Sequence, residues 1–220
     1  MVHDMNRVRK ISNFIRPRLV RLTLAALFPS AVYALFGFYF SLQTINLGTS
    51  LFYFTLVPMI VAGVIAGFLG NKADATLSPK SLAKFGVFSI LAYSLYDWGR
   101  VPVNYFFGLP YFADMFDWGQ NITGNANLTL VSLSAGLLTH ILRGWGMAMA
   151  YYLLVRKVTF PSTIVFAGVM TVFYWGFFPY FVVAEAKPPL VWWVTAWEAH
   201  ILLAVGLYYA PRIFTHYNVT

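Results

Sequence analysis

Long apolar stretches alternate with short polar connections along the whole chain. A helix needs roughly 20 mostly apolar residues to cross about 30 Å of hydrocarbon. Six segments meet that demand: 19–42, 50–70, 85–101, 129–155, 161–184 and 189–212. The pattern predicts an all-α, polytopic integral membrane protein, a bundle of six transmembrane helices spanning 19–212. A basic amphipathic arm, 1–18, precedes the bundle and a tail, 213–220, follows it. The third segment is the shortest. Pro102 follows it, and the apolar run 103–107 either lies at the interface or extends the span.

Lys and Arg set the orientation. The arm holds Arg7, Arg9, Lys10, Arg16, Arg18 and Arg21; the second-to-third connection holds Lys72, Lys80 and Lys84; the fourth-to-fifth holds Arg156 and Lys157; the tail begins at Arg212. The alternate connections carry Asp114, Asp117, Glu185 and Lys187. Positive residues gather on the cytoplasmic side of membrane proteins, so the expectation is a cell-membrane protein with both termini inside. Val8, Ile11 and Ile15 fall at helical spacing among the basic residues, which suits an arm resting on anionic lipid headgroups.

Composition agrees with lipid as the surrounding medium. Charged residues make up 10% of the 220 and hydrophobic ones 60%; soluble domains carry about 25% charged residues, so this chain has too little charge to cover a water-facing surface. The net charge of +8 sits at the ends of apolar segments, which points to headgroups and not to nucleic acid. There is no cysteine, which excludes disulfides, thiolate metal sites and cysteine nucleophiles. Nor is there a Gly-x-Ser-x-Gly, a His-Glu-x-x-His or a phosphate-cradling loop.

Against that background the ionisable residues inside the segments stand out, because charge within a bilayer is costly. Tyr93, Asp97, Arg100 and Asn104 form one polar stripe on the third segment. The fourth carries His140 and Arg143 on one face, and the sixth carries Glu198 and His200. At 1.5 Å per residue, His140 and His200 both lie about 16 Å below the same edge, with Glu198 and Arg143 close in depth. Glu198 and His200 are about 200° apart around their helix, so one compact site is not expected to hold both. The candidate site for a solute or ion is therefore Asp97, Arg100, Arg143 and Glu198, with Tyr93 and His140 beside it. As metal or haem ligands, His140, His200 and Asp97 are weaker candidates, since no close-spaced ligand motif supports them.

Smaller signals complete the picture. Ala62, Gly63, Ala66 and Gly67 are spaced for close helix packing. Pro29, Pro58 and Pro179 fall within segments, where each removes a backbone hydrogen bond. Trp98, Trp118, Trp192 and Trp193 are assigned to an outer aromatic belt. Three functional readings follow. The first is a carrier or binding subunit for a small solute or ion. The second is an accessory membrane subunit of a larger respiratory or oxidoreductase complex, and the third an intramembrane haem- or metal-dependent redox protein.

Overall fold

The structure is a computed structural model that describes residues 2–40, 45–108, 113–155, 157–175 and 189–215. Those residues are all-helical with no strand among them, in eight helices. They are α1 (Val2–Leu27), α2 (Ser30–Phe40), α3 (Leu47–Gly70), α4 (Pro79–Phe106), α5 (Ala113–Thr123), α6 (Leu130–Leu154), α7 (Phe160–Trp175) and α8 (Pro189–Thr215). Pro179, Glu185, Lys187 and the end of the expected fifth span lie outside the described residues, as do the side chains of Val8, Ile11 and Trp192.

The helix starts are written into the sequence. Ser78 accepts from Ser81 N–H ahead of Pro79, a residue whose missing N–H does no harm in a first turn. Thr129 and Ser132 cap each other reciprocally at the start of α6, and Thr159 with Ser162 repeats the device before α7. Gly124, at φ +65°, follows the last turn of α5 in the left-handed conformation that glycine adopts without a Cβ penalty.

Two boundaries differ from the sequence expectation, and a third is settled between its two alternatives. The arm and the start of the first span are one continuous helix, α1, so no break falls at residue 18. The first span is two helices, interrupted at Phe28-Pro29. Pro29 has no N–H and its ring crowds the preceding turn, and the interruption sits against Gly146 of α6, where a Cβ would come 2.2 Å from the Phe28 carbonyl oxygen. The third span runs on through Pro102 to Phe106. In α3, π-helical turns occupy Phe52–Leu56 and Ala66–Gly70; the first immediately precedes Pro58 and loosens the ladder where the proline cannot donate.

Helix α6 is the centre of the fold. It packs against α1, α2, α4 and α5 and shares a buried core with α8, which also packs along α4, while α7 lies on α8. Its small residues allow this crowding. A Cβ on Gly136 would fall 1.8 Å from the Met115 carbonyl oxygen, and one on Gly119 of α5 would fall 1.8 Å from that of Ser132. The two backbones therefore touch, as small residues permit at helix crossings. Gly63 and Gly67, expected to pack closely, instead have no atom within 4 Å of where a Cβ would lie. Helix α3 docks through Ala62, which is fully buried. Most of the remaining surface of α3, including Phe52, Tyr53, Ile60 and Phe68, faces outward. Among the described residues α3 is the one helix both long and apolar enough to cross a membrane; the apolar part of α7, Phe160–Phe173, is shorter.

This packing separates two kinds of glycine. Gly136→Ala forces α5 and α6 apart and is expected to destabilise by about 1–3 kcal/mol, the usual penalty for overpacking. Gly63→Ala gains helix propensity with no clash and is expected to be neutral or stabilising by up to about 1 kcal/mol. Thermal unfolding of both variants under the same conditions checks the contrast.

Candidate functional site

Tyr93, Tyr96, Asp97, Arg100 and Asn104 recur along α4 at spacings that place them towards α6 and α8. The face of α6 that meets them presents His140 and Arg143. One turn on from His140, Gly144 leaves a hollow that the Tyr93 ring occupies, for a Cβ there would lie 1.9 Å from the ring. The phenol is thereby held against both polar side chains of α6.

The result is a hydrogen-bonded cluster buried between two helices. The His140 Nε2 atom lies 2.8 Å from Asp97 Oδ1 and 3.0 Å from the Tyr93 hydroxyl. Arg143 Nη2 lies 3.3 Å from both His140 Nδ1 and the Tyr93 oxygen. A guanidinium can only donate, so Nδ1 is the accepting nitrogen and Nε2 carries the proton given to Asp97. The Arg143 guanidinium stacks 5.0 Å from the ring centre of Trp118. A desolvated contact of this kind contributes about 2 kcal/mol.

Trp118 corrects an expectation. The sequence pattern places it in an aromatic belt, yet it is 1% exposed and lies beneath Arg143 and His140. The connection that carries it folds back as α5 and inserts against α6. The signal was present in the sequence: Met115, Trp118, Gly119 and Ile122 follow helical spacing, but the intervening polar residues obscured it. Trp98, from the same assigned belt, does stay outside.

Tyr96 links this cluster to α8. Its ring stacks on Tyr93 at 4.9 Å, meets the His200 ring edge-on at 5.9 Å, and lies 5.4 Å below the Arg100 guanidinium. His200 Nδ1 donates to the Ala196 carbonyl at 2.7 Å. Tyr96 thus joins Arg100 to His200 through its ring, and Glu198 of the same helix feels the Arg100 charge. Among the described residues Glu198 Oε2 and Asn104 Oδ1 are buried oxygens with no hydrogen-bond donor. The expected residues thus gather as two linked groups: Tyr93, Asp97, His140 and Arg143, then Arg100, Glu198 and His200. No three His, Asp or Glu side chains among the described residues converge as a metal-ligand set.

Arg21, which charge patterning groups with the basic arm, is buried. Its Nη2 pairs with Asp74 Oδ2 at 2.7 Å and donates to the Thr76 hydroxyl, while Nη1 donates to the Leu153 carbonyl at 3.1 Å, at the C-terminal end of α6. Burial by itself would raise the Asp74 pKa; the hydrogen bonds from Arg21 and Thr76 outweigh it and hold the carboxyl at about 2.

Compared with protein-family models, curated proteins and solved structures, the chain finds no match.

The Asp74 shift carries a pH signature. Its folded pKa lies below its ordinary value, so the stability it contributes is fully present above about pH 4 and is lost as pH falls towards about 2. Unfolding midpoints measured from pH 7 down to 2 should converge for the wild type and Asp74→Asn at the acid end and separate above pH 4.

Proposed function

We propose that this chain is a six-span membrane protein that binds or carries a small cation or hydrogen-bond-donating solute, with its site among α4, α6 and α8. The spans are α1 with α2, then α3, α4, α6, α7 with the residues that follow it, and α8. Termini and basic connections face the cytoplasm. Outward-facing Phe52, Ile60, Phe68, Leu138, Val165, Val172 and Ile201 support the bilayer reading, because soluble proteins rarely expose so much contiguous apolar surface. Helices α4, α6 and α8 have lower hydropathy because they carry Asp97, Arg100, His140, Arg143, Glu198 and His200, and those residues lie at contacts among the helices.

One observation carries the solute reading. Among the described residues Glu198 Oε2 and Asn104 Oδ1 are buried acceptors without a donor, on two helices, α8 and α4, that pack against each other. A native protein leaves few such atoms unsatisfied, and a donor or cation arriving from outside would satisfy them. The accessory-subunit reading also has support: just 11% of the most apolar stretch of α3 is buried, leaving a face that another subunit could cover. Native mass spectrometry from mild detergent separates that case, since a monomer or a homo-oligomer counts against it.

Because the chain has no native cysteine, topology can be tested with single substitutions. Lys72→Cys and Lys157→Cys should react with an impermeant maleimide only in inside-out vesicles, and Gln120→Cys and Asn125→Cys only in right-side-out ones. For transport, proteoliposomes given steps of sodium, potassium, ammonium or proton concentration should pass current for at least one cation. Glu198→Gln and Arg143→Gln should lower that current by about tenfold or more, in line with loss of a hydrogen bond to a charged group. If wild-type liposomes match empty ones for every cation, the cation-carrier reading is wrong.

A further inference from the structure

A proton needs no cavity, only hydrogen-bonded groups that can hold it and a way in from outside. The cluster between α4 and α6 supplies both. His140 Nε2 lies 2.8 Å from Asp97 Oδ1 and 3.0 Å from the Tyr93 hydroxyl, and Arg143 Nη2 reaches His140 Nδ1 at 3.3 Å. The His140 side chain is 5% exposed, whereas that of Asp97 is 20% exposed, so the carboxylate is where the cluster meets its surroundings. Asp97 and Arg143 offset each other through the imidazole. An incoming proton then has one place to settle. Nδ1 already accepts from the guanidinium, and an imidazolium there would set two cations against each other. The Tyr93 hydroxyl is already protonated. That leaves the Asp97 carboxylate.

We propose that the cation carried is the proton and that Asp97 takes it up, an assignment that rests on the carrier reading above and names its substrate. Uptake forms one O–H bond on the carboxylate, breaks none, and raises the net charge of the cluster by one; release reverses both. Chains of carboxylate and histidine inside membranes serve as proton relays in this way. A metal cation would need about six oxygen ligands, whereas among the described residues no three acidic or histidine side chains converge. The surrounding charges favour release, since Arg143 on α6 and Arg100, one turn along α4, both repel the added proton. Helix α8 contributes His200, against Tyr96, and Glu198, which feels the Arg100 charge. Helix α5 reaches the cluster through Trp118, which does not titrate. Arg21 and Asp74 sit at Leu153, about 15 Å further along α6 than Arg143.

Proton entry into pyranine-loaded proteoliposomes tests this, with an inside-negative potential set by valinomycin and a potassium gradient. The wild type should acidify the lumen, Asp97→Asn should match empty liposomes, and Asp97→Glu, which keeps the carboxyl, should retain proton entry. On the unmutated chain, dicyclohexylcarbodiimide attaches to protonated carboxyls; its adduct should map to Asp97 and form faster at acid than at alkaline pH. If Asp97→Asn does not fold, the adduct decides alone. Wild-type vesicles that pass sodium, potassium or ammonium current but no protons overturn the proton assignment and leave the carrier reading standing, whereas vesicles that pass nothing overturn both. Asp97→Asn that admits protons like the wild type, or an adduct confined to Glu198, overturns the role given to Asp97.

Discussion

Arg143 is 4% exposed, and an ionised guanidinium in such a place is tolerable only when its surroundings supply what water would have supplied. Much of the architecture around α6 can be understood from that requirement. Trp118 gives the cation a ring face, so α5 has to insert against α6. Tyr93 and His140 give it two acceptors, so α4 has to come close enough for a phenol to sit at Gly144. Asp97 then completes the group by taking the proton that His140 presents.

Close approach is the means by which these demands are met together. At Gly119, Gly136, Gly144 and Gly146 of α5 and α6, and at Gly206 of α8 against Ala92, a side chain would collide with a neighbour. With backbones this near, long side chains from neighbouring helices overlap instead of ending in separate compartments, and aromatic rings fill what remains. Tyr96 shows the consequence, since it contacts Tyr93, Arg100 and His200 at once.

The helix content and most helix positions were legible in the sequence because apolar runs and capping residues are local signals. Thr129 and Ser132 mark the start of α6 without help from the rest of the fold. The polar stripe on α4 was legible for the same reason, as was the shared face of His140 and Arg143. What could not be read was which partner each charge would find. Asp97 meets His140, a pairing that depends on the crossing of α4 and α6 and on no local pattern. Arg21 looked like one more basic residue of the arm, and only the return of Asp74 beside it makes it a buried ion pair. Gly63 and Gly67 had the spacing of a packing motif, but the face of α3 that packs is set by Ala62 and its neighbours on α1.

The cap at the start of α3 has a mechanical consequence. Asn46 accepts from Gly48 N–H at 2.7 Å, and its amide nitrogen donates to the Asn121 carbonyl of α5 at 2.8 Å. One short side chain thus couples the most peripheral helix to the one that carries Trp118. Displacing α3 would therefore strain its tie to α5, the helix whose Trp118 ring lies beneath Arg143.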